Sequence, residues 1–440
     1  MPVSFLFLGG GESVRKLAIL MLCILLTGCQ AITFSVDGLL NAPNIADEQS
    51  AIYQALIESA GRGITLEYPR NGDYRSAFVL YDIDGDGENE TLAFYSVSSV
   101  AESNVKISVL DRGNDDKWRS MYEVAGEGSS VDRVMFSGSD VVVGYSAQGY
   151  EENALRMYHY KDGELLTVYE DTYSILERSD LDGCGVDEIV MIKRSGPGMK
   201  IDVIKALDGE GYSLYPSELE TGASTISGHG FGSLDGCSAL YLDILSESGG
   251  LLTEIFYIRD GGVICPIARN GLSLATQRPA GYASRDYDGD GSVEIPVVGA
   301  FTGYETAAWG EAEYMATLLN FNVETQQLEI KSFAYLDLRG GYVMTIPNRW
   351  LNVVTVSRDT GTGEVTFYRY EPEKGTIGDM TPIVRFASSD SSDEGAYTSA
   401  GYKVLGSTDL RTYYVKTLAD ADEPLVLTMD EIRVNFHMIE

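Results

Sequence analysis

Basic residues are scarce in this chain of 440 residues, which carries 32 Lys and Arg against 66 Asp and Glu. The formal net charge of −34 repels phosphate backbones and anionic headgroups, which argues against nucleic-acid binding. Proline and histidine are also few, at 12 and 3, whereas 48 Gly and 28 Tyr are present. A composition rich in Gly and Tyr is typical of many short strands joined by tight turns. It disfavours helix bundles and disordered chains.

The apolar run from Leu17 to Leu26 is too short to cross a bilayer as a helix, which needs about 20 residues. It follows Arg15-Lys16 and precedes Thr27-Gly28-Cys29, the order found in secretory signal peptides. Leu26 to Cys29 resembles the lipobox of bacterial lipoproteins. The resemblance implies cleavage before Cys29, lipid such as palmitate on this residue, and anchorage at the extracytoplasmic face of a bacterial cell membrane.

Cysteine is rare, with five in the chain, and two of them fall in the signal peptide and the lipid site. The remaining Cys184, Cys237 and Cys265 form no CxxC pair or Cys/His cluster, which disfavours a zinc site. Cys184 and Cys237 occupy the same position in successive repeats. Either they are two small buried residues in similar places, or they form a disulfide between neighbouring loops.

Acidic loops containing glycine recur before apolar, strand-like runs, at positions 82–90, 180–188, 233–237 and 286–294. Their spacing indicates a unit of about fifty residues, and the unit near Val131 has lost its loop. Seven Gly-, Asp- or Asn-rich turns give an independent count, at 112–115, 161–164, 208–211, 259–262, 324–327, 371–375 and 419–424. We therefore predict an all-β, seven-bladed β-propeller of four-stranded antiparallel blades, with eight blades as the alternative.

Three regions follow from these patterns: a signal peptide over 1–28, a lipid tether with one short helix over 29–73, and the propeller over 74–440. The segment 74–81 is predicted to complete the last blade and close the ring, which leaves no long sheet edge exposed. Asp47 to Ala60 is predicted to be an amphipathic helix with Ile52 and Leu56 on one face. We expect it to pack against the propeller, and partner binding is the alternative.

The complete acidic loops place carboxylates at positions 1, 3, 5 and 9, a glycine at position 6 and a backbone carbonyl at position 7. These oxygen atoms are the ligands that calcium prefers, so the loops are predicted to bind calcium. Position 12 lies inside a strand, so the loops are not EF-hands. The partial loop at 180–188 is a weaker candidate, and the loop at 233–237 keeps only Asp235. The predicted ligands are Asp82, Asp84, Asp86, the carbonyl of Glu88, Glu90, Asp286, Asp288, Asp290, the carbonyl of Ser292, Glu294, Asp180 and Asp182.

With these loops in view, the chain resembles the FG-GAP/VCBS family of calcium-binding propeller repeats, which also occurs in integrin α-chain head domains and bacterial surface lipoproteins. The loops at 82–90 and 286–294 match the family motif closely, and those at 180 and 233 match it in part. The apolar Phe-Gly and Gly-Ala-Pro signatures of the integrin form are not recognisable. The resemblance implies a propeller fold over about 74–438 and a structural role for calcium.

No nucleophile, phosphate-binding or sialidase motif is present, and His159, His229 and His437 have no partner motif. The fifth unit is longer than the others, and Tyr304, Trp309 and Tyr314 in it are candidate ligand-binding residues. The sequence favours a monomeric, calcium-stabilised, lipid-anchored propeller that binds a protein or glycan and is not an enzyme. A calcium-dependent polysaccharide lyase or glycoside hydrolase is the alternative.

Overall fold

The structure is a computed structural model, and every structural statement below concerns the residues it describes. These are 47–97, 104–146, 149, 151–196, 198–207, 211–219, 225–246, 248–308, 310–390 and 394–439. The predicted signal peptide, the Cys29 lipid site and most of the tether lie outside them. The described residues form six antiparallel sheets of four or five strands that follow one another along the chain.

The first three sheets are formed by consecutive strands. Sheet 1 contains β1 Ile64–Leu66, β2 Phe78–Tyr81, β3 Glu90–Val97, β4 Lys106–Arg112 and β5 Trp118–Ala125. Sheet 2 contains β6 Ser130–Ser137, β7 Asp140–Ser146, β8 Asn153–Lys161 and β9 Glu164–Tyr173. Sheet 3 contains β10 Ile175–Ser179, β11 Glu188–Ser195, β12 Gly198–Ala206 and β13 Tyr212–Glu218.

The other three sheets include short additional strands. Sheet 4 contains β14 Ile226–Leu234, β15 Cys237–Leu245, β16 Gly250–Arg259, β17 Gly262–Ile264 and β18 Arg278–Pro279. Sheet 5 contains β19 Ile295–Ala300, β20 Tyr314–Asn322, β21 Gln327–Asp337, β22 Tyr342–Thr345 and β28 Phe436–Met438. Sheet 6 contains β23 Val354–Arg358, β24 Val365–Arg369, β25 Pro382–Asp390, β26 Lys403–Ser407 and β27 Arg411–Thr417.

Burial along the strands explains their sequence patterns. The central strand β3 is buried through its first six residues, as a strand covered on both faces must be, and it reads as an almost continuous apolar run. The outer strands β5 and β13 alternate between more and less buried residues, with the period of two expected where one face meets solvent. The sheets therefore pack face to face through their central strands.

Neighbouring sheets share apolar cores in chain order. One cluster joins Phe94 of sheet 1 to Val143 of sheet 2, and equivalent clusters join sheets 2 and 3, 3 and 4, 4 and 5, and 5 and 6. In the described part of the chain, no apolar cluster joins sheet 6 to sheet 1. A separate cluster of Ala387, Tyr402 and Tyr414 belongs to sheet 6, with Tyr397 stacked on Tyr414 at 4.5 Å between ring centroids.

The helices are short and lie between or beside the sheets. The α-helices are α1 Asp47–Ala60, α2 Pro266–Arg269, α3 Glu394–Ser399 and α4 Met429–Asn435, and the 3₁₀ turns are Ser273–Thr276, Asn348–Trp350, Pro372–Lys374 and Ile377–Asp379. The predicted helix α1 is confirmed, because Ile52 and Leu56 are fully buried and pack on sheet 1. Among the described helices, none has the length and apolar character needed to traverse a membrane.

The predicted pairing between the two ends of the chain is wrong. The strand within 74–81, β2, pairs with β3 through Leu80 and Thr91 instead of completing the last sheet. A hairpin across the adjacent acidic loop costs far less loop-closure entropy than a pairing between the two ends of the chain. The strand β1 also pairs with β3, so sheet 1 begins before the predicted boundary at 74.

The seventh predicted turn, 419–424, does not start a sheet of its own. The strands before it, β26 and β27, belong to sheet 6, and the segment after it leads into α4 and β28. Strand β28 pairs with β22 of sheet 5 through His437 and Val343. The described residues thus form six sheets where the turn count predicts seven units.

Candidate metal centre

The three acidic loops lie at the same place in their sheets, immediately before the buried strand β3, β11 or β19. In each, the glutamate at position 9 is buried and accepts a hydrogen bond from the backbone N–H at position 2. The donor–acceptor distances are 2.9 Å for Ile83 to Glu90, 2.8 Å for Leu181 to Glu188 and 2.8 Å for Tyr287 to Glu294. This bond fixes the loop against the strand that follows it.

Backbone donors shape the first half of each loop. In the loop 82–90, the Asp82 carboxylate accepts hydrogen bonds from the N–H groups of Gly85 and Gly87, at 2.8 and 3.1 Å. Both glycines have positive φ, 77° and 93°, which residues other than glycine rarely adopt. The loop 286–294 repeats these bonds from Gly289 and Gly291 to Asp286, at 2.6 and 2.8 Å. The alternation of Asp and Gly in the sequence therefore encodes one loop conformation.

The loop 82–90 brings Asp82, Asp84 and Asp86 together, with one carboxylate oxygen of each within 4.8 Å of the others. Glu90 lies outside that group and is only 3% exposed. Burial, together with the nearby carboxylates of Asp84 and Asp111, raises the pKa of Glu90 to about 7. None of the ion pairs found between described residues includes these loop carboxylates, so the negative charge here has no protein counter-charge.

The loop 286–294 has the same carboxylates but contains a protein cation. The Lys331 ammonium lies 2.8 Å from Asp288, 2.6 Å from Asp290 and 2.9 Å from Glu294. Although burial opposes its charge, these hydrogen bonds raise the pKa of Lys331. Lys331 therefore stands among the groups that were predicted to bind calcium.

The loop 180–188 also contains a lysine. The Lys205 ammonium bonds to Asp182 and lies 3.3 Å from both Glu188 and the Cys184 sulfur. Hydrogen bonding to Asp182 raises the pKa of Lys205. Asp180, Asp182, Cys184 and Glu188 each offer one ligand atom within 4.8 Å of the others, so the predicted partial site does assemble.

Because two of the three loops contain a lysine, the loops differ in how well they can bind calcium. A Ca²⁺ ion takes six to eight oxygen ligands and favours carboxylates, carbonyls and water. In the loop 82–90, Asp82, Asp84 and Asp86 supply oxygens without a competing ammonium, and Glu90 follows at the base of the loop. The other two loops would have to displace a lysine before they could bind an ion.

The remaining sheets have shortened counterparts of the acidic loop. Sheet 2 has only Gly138-Ser139 between its first two strands, so the lost loop lies there and not at Val131 to Arg133, which belong to β6. Asp140 then occupies the buried position of Glu90 and bonds to His159 at 2.9 Å. Sequence comparison of the loops alone misses this position, because the chain around it keeps no acidic pattern.

The predicted ligand-binding aromatics have mixed placements. Tyr304 is partly buried, donates a hydrogen bond to the Val356 carbonyl at 2.9 Å and packs against the core shared by sheets 5 and 6. Burial raises its pKa to about 12. Tyr314 begins β20 and is partly buried, while Trp309 lies outside the described residues. A ligand-binding role for these three residues stays a prediction.

The cysteines form no disulfide among the described residues, because Cys184, Cys237 and Cys265 are all free thiols. The disulfide alternative for Cys184 and Cys237 is therefore wrong. His159 pairs with Asp140, and His229 lies 3.5 Å from Glu177. These two histidines have the carboxylate partners expected of structural residues.

One buried cluster contains the residue types of an active site. Lys193 bonds to Asp171 and lies 2.8 Å from Asp202, and Tyr169 donates to Asp171 at 2.5 Å. Lys193 and Asp202 are 7% and 1% exposed. Four surface cavities, of 310 to 480 Å³, include none of these residues in their linings.

Comparisons with known proteins identify no family for this chain. No family model and no curated protein matches it. Solved structures with low similarity include Sqt1 from Chaetomium thermophilum, at 12% identity, 68% coverage of each chain and a TM-score of 0.27. Rhamnogalacturonan lyase YesW has 16% identity, 70% coverage of this chain and 61% of its own, and a TM-score of 0.28. A Bacillus licheniformis rhamnogalacturonan lyase has 14% identity, 70% coverage of this chain and 62% of its own, and a TM-score of 0.23.

These TM-scores are too low to support an argument about fold or activity. The described residues define the class of protein by themselves: an all-β protein of successive antiparallel sheets with acidic loops.

Proposed function

We propose that this protein is a calcium-stabilised, propeller-like repeat protein of the FG-GAP/VCBS type, anchored to the extracytoplasmic face of a bacterial membrane, where it binds a protein or glycan partner. The observation that carries the proposal is the loop 82–90. Its three aspartates converge within 4.8 Å, and no lysine or arginine among the described residues pairs with them.

Electrostatics favours an ion in this loop. Like charges at such short distances repel, and the buried Glu90 has an additional cost because its pKa is raised. A divalent cation would convert this repulsion into attraction and would favour the ionised form of Glu90. The ligands would be Asp82, Asp84, Asp86, the carbonyl of Glu88, and Glu90, with water completing the coordination.

The proposed role of calcium is structural. The loop joins β2, a strand of four residues, to the buried strand β3. Fixing the loop would hold the edge of sheet 1 in place. Extracellular calcium modules bind with dissociation constants of about 10⁻⁴ to 10⁻³ M, which suits a protein outside the cell.

The blades of the proposed propeller are the six successive sheets. Their four-stranded antiparallel core and the apolar contacts between consecutive sheets support this interpretation. We do not extend it to seven or eight blades, because the described strands are all used in six sheets.

Thermal unfolding of the full chain, purified in a mild detergent, tests the calcium proposal. We expect calcium at ten times its Kd to raise the unfolding free energy by about 1.4 kcal/mol relative to chelator. Asp84→Asn should abolish this increase, whereas the matched variant Asp288→Asn in the lysine-containing loop should retain it. Equal curves with calcium and chelator in the unmodified protein would refute the proposal.

The membrane anchor rests on the sequence of residues 26–29 and has its own test. Cys29→Ser should move the protein from the membrane to the soluble fraction and abolish labelling by radioactive palmitate. Cys184→Ser is the matched control, because it removes an exposed thiol elsewhere in the chain. Palmitate labelling that persists in Cys29→Ser would contradict the proposal.

Catalysis is not part of the proposal. The Lys193, Asp171 and Tyr169 cluster is the best grouping of catalytic residue types, but Lys193 is buried in ion pairs, and none of the three residues lines the four cavities described above. We therefore do not favour the polysaccharide lyase or hydrolase alternative over a binding role.

A further inference from the structure

A surface cavity of about 310 Å³ lies where four turns and strand ends of sheets 5 and 6 meet. It is lined by the turn after β21, the turn between β23 and β24, the end of β25 and the start of β27. Its polar side chains include Arg339, Arg358 and Arg411 together with Ser388 and Thr360. This volume is at the lower end of the range for small-molecule sites.

The charge of this lining differs from that of three other cavities. Three arginines and two aspartates surround this cavity. The three others have acidic linings: one has three acids and one arginine, one has three acids and no basic residue, and one has two aspartates and one arginine. In a chain of net charge −34, a cavity with excess positive charge is a local departure that attracts anions.

Protein donors occupy Asp359, one of the two aspartates that line this cavity, and also Asp337 next to it. Asp359 accepts hydrogen bonds from the N–H groups of Gly361 and Thr362, both at 2.8 Å, and these bonds lower its pKa. Beneath the cavity, Asp337 accepts from the backbone of Gly340 at 2.7 Å and pairs with Arg358 at 2.7 Å. Neither of these carboxylates forms an ion pair with the other two arginines of the lining, Arg339 and Arg411.

Arg339 and Arg411 remain available to a ligand. The Arg411 guanidinium donates a hydrogen bond to the backbone carbonyl of Arg339 at 2.5 Å, which holds it beside the turn after β21. Arg411 and Asp390 are cross-strand neighbours, yet they form no ion pair. Arg339 is exposed and takes part in no ion pair among the described residues.

We propose that this cavity binds a small oxyanion, such as a carboxylate, sulfate or phosphate group, through Arg339 and Arg411, with Ser388 and Thr360 as additional hydrogen-bond donors. Paired guanidinium groups bind planar and tetrahedral oxyanions through charge-assisted hydrogen bonds. The turn 359–363 lines the cavity and joins β23 to β24 in sheet 6, at the position that the acidic loops have in sheets 1, 3 and 5. The same repeat position thus serves cations in sheet 1 and anions in sheet 6, and the anion site does not depend on the calcium proposal.

Calorimetric titration of the full chain with sodium sulfate and with sodium glucuronate tests this site, with sodium chloride at equal ionic strength as the blank. We expect millimolar binding that weakens at least tenfold in Arg339→Gln/Arg411→Gln and is unchanged in Arg433→Gln, an exposed arginine on α4. Binding of sulfate alone would identify a tetrahedral oxyanion, and binding of glucuronate alone would identify a carboxylate.

Two results would overturn the proposal: no binding of either anion by the unmodified protein, or equal binding by the double variant. If the double variant does not fold, Arg339→Gln alone provides the test, because its side chain forms no ion pair that folding would lose. Every titration contains chelator, so that calcium binding cannot contribute to the signal. Anion binding should persist when calcium is absent.

Discussion

The loops 82–90 in sheet 1 and 286–294 in sheet 5 have the same pattern of aspartates, glycines and glutamate, yet their electrostatics differ. In sheet 5 the Lys331 ammonium lies within 3 Å of three carboxylates. In sheet 1 the corresponding carboxylates have no protein cation, and the pKa of Glu90 is raised to about 7. A loop motif therefore defines where a cation belongs, but not whether the protein supplies that cation itself.

The source of the difference is one position on a neighbouring strand. Lys331 lies in a bulge of β21, between the pairs Leu318 with Ser332 and Leu319 with Ile330. In sheet 1, β5 has a bulge in the same register, between the pairs Val109 with Tyr122 and Leu110 with Ser120, and the bulged residue is Met121. Bulges redirect a side chain without disturbing the rest of the strand, which makes this position a switch between lysine and metal.

Removal of the lysine should have the largest effect. Lys331→Met leaves four carboxylates together without a counter-charge, so we expect a loss on the order of 2 kcal/mol of unfolding free energy in chelator, less than for a fully buried pair because Lys331 is partly exposed. Calcium should restore most of this stability, because the loop then resembles the one in sheet 1. Denaturant unfolding with calcium and with chelator measures both effects.

Lys403→Met is the matched control for this experiment. Lys403 is exposed on β26 and lies far from the acidic loops in the chain, so its replacement should change neither the stability nor the calcium response. A Lys331→Met protein that is destabilised equally with and without calcium would show that the loop 286–294 cannot bind the ion.

Adding a lysine beside the loop 82–90 should make that loop behave like the loop 286–294. Met121→Lys places an ammonium at the bulge beside the loop 82–90, so we expect about 1 kcal/mol of added stability in chelator and loss of the calcium response. Met121 is 57% exposed, which leaves room for the longer side chain. Isothermal titration with calcium provides the measurement, and Met121→Gln is the uncharged control that should still bind. Calcium binding of unchanged affinity in Met121→Lys would contradict the equivalence of the two bulges.

Much of this architecture could be predicted from the sequence, because its causes are local. The turns at 112–115 and 161–164 do join adjacent strands, and Ile52 and Leu56 do form the buried face of α1. Likewise, the Asp and Gly spacing of the loop 82–90 encodes its conformation directly through backbone hydrogen bonds.

The failures involve partners that are distant in the chain. The pairing of β28 with β22 depends on where the C-terminal segment lies after folding, which no local pattern specifies. Lys331 meets Glu294 from 37 residues away, and only the strand register with its bulge brings the two together. From the sequence alone, such a lysine is indistinguishable from an ordinary surface residue until that register is known.

The smallest predicted effect concerns the buried glutamates, and its size should differ between the two sheets. Without calcium, the ionised carboxylate of Glu90 is unfavourable because its folded pKa is above its unfolded value of 4.5, so stability falls as the pH rises from 4.5 towards 7. Glu90→Gln removes this charge and keeps an acceptor for the Ile83 N–H, so it should add about 1 kcal/mol at pH 7 in chelator. Burial raises the pKa of Glu294 as well, although hydrogen bonding to Lys331 opposes the shift. Because Glu294→Gln also removes a partner of Lys331, its gain should be smaller than that of Glu90→Gln. Unfolding at pH 5 and pH 7 checks the assignment, because the gain from Glu90→Gln should shrink at the lower pH. Equal gains from the two variants, or a gain from neither, would mean that Lys331 does not distinguish the two loops.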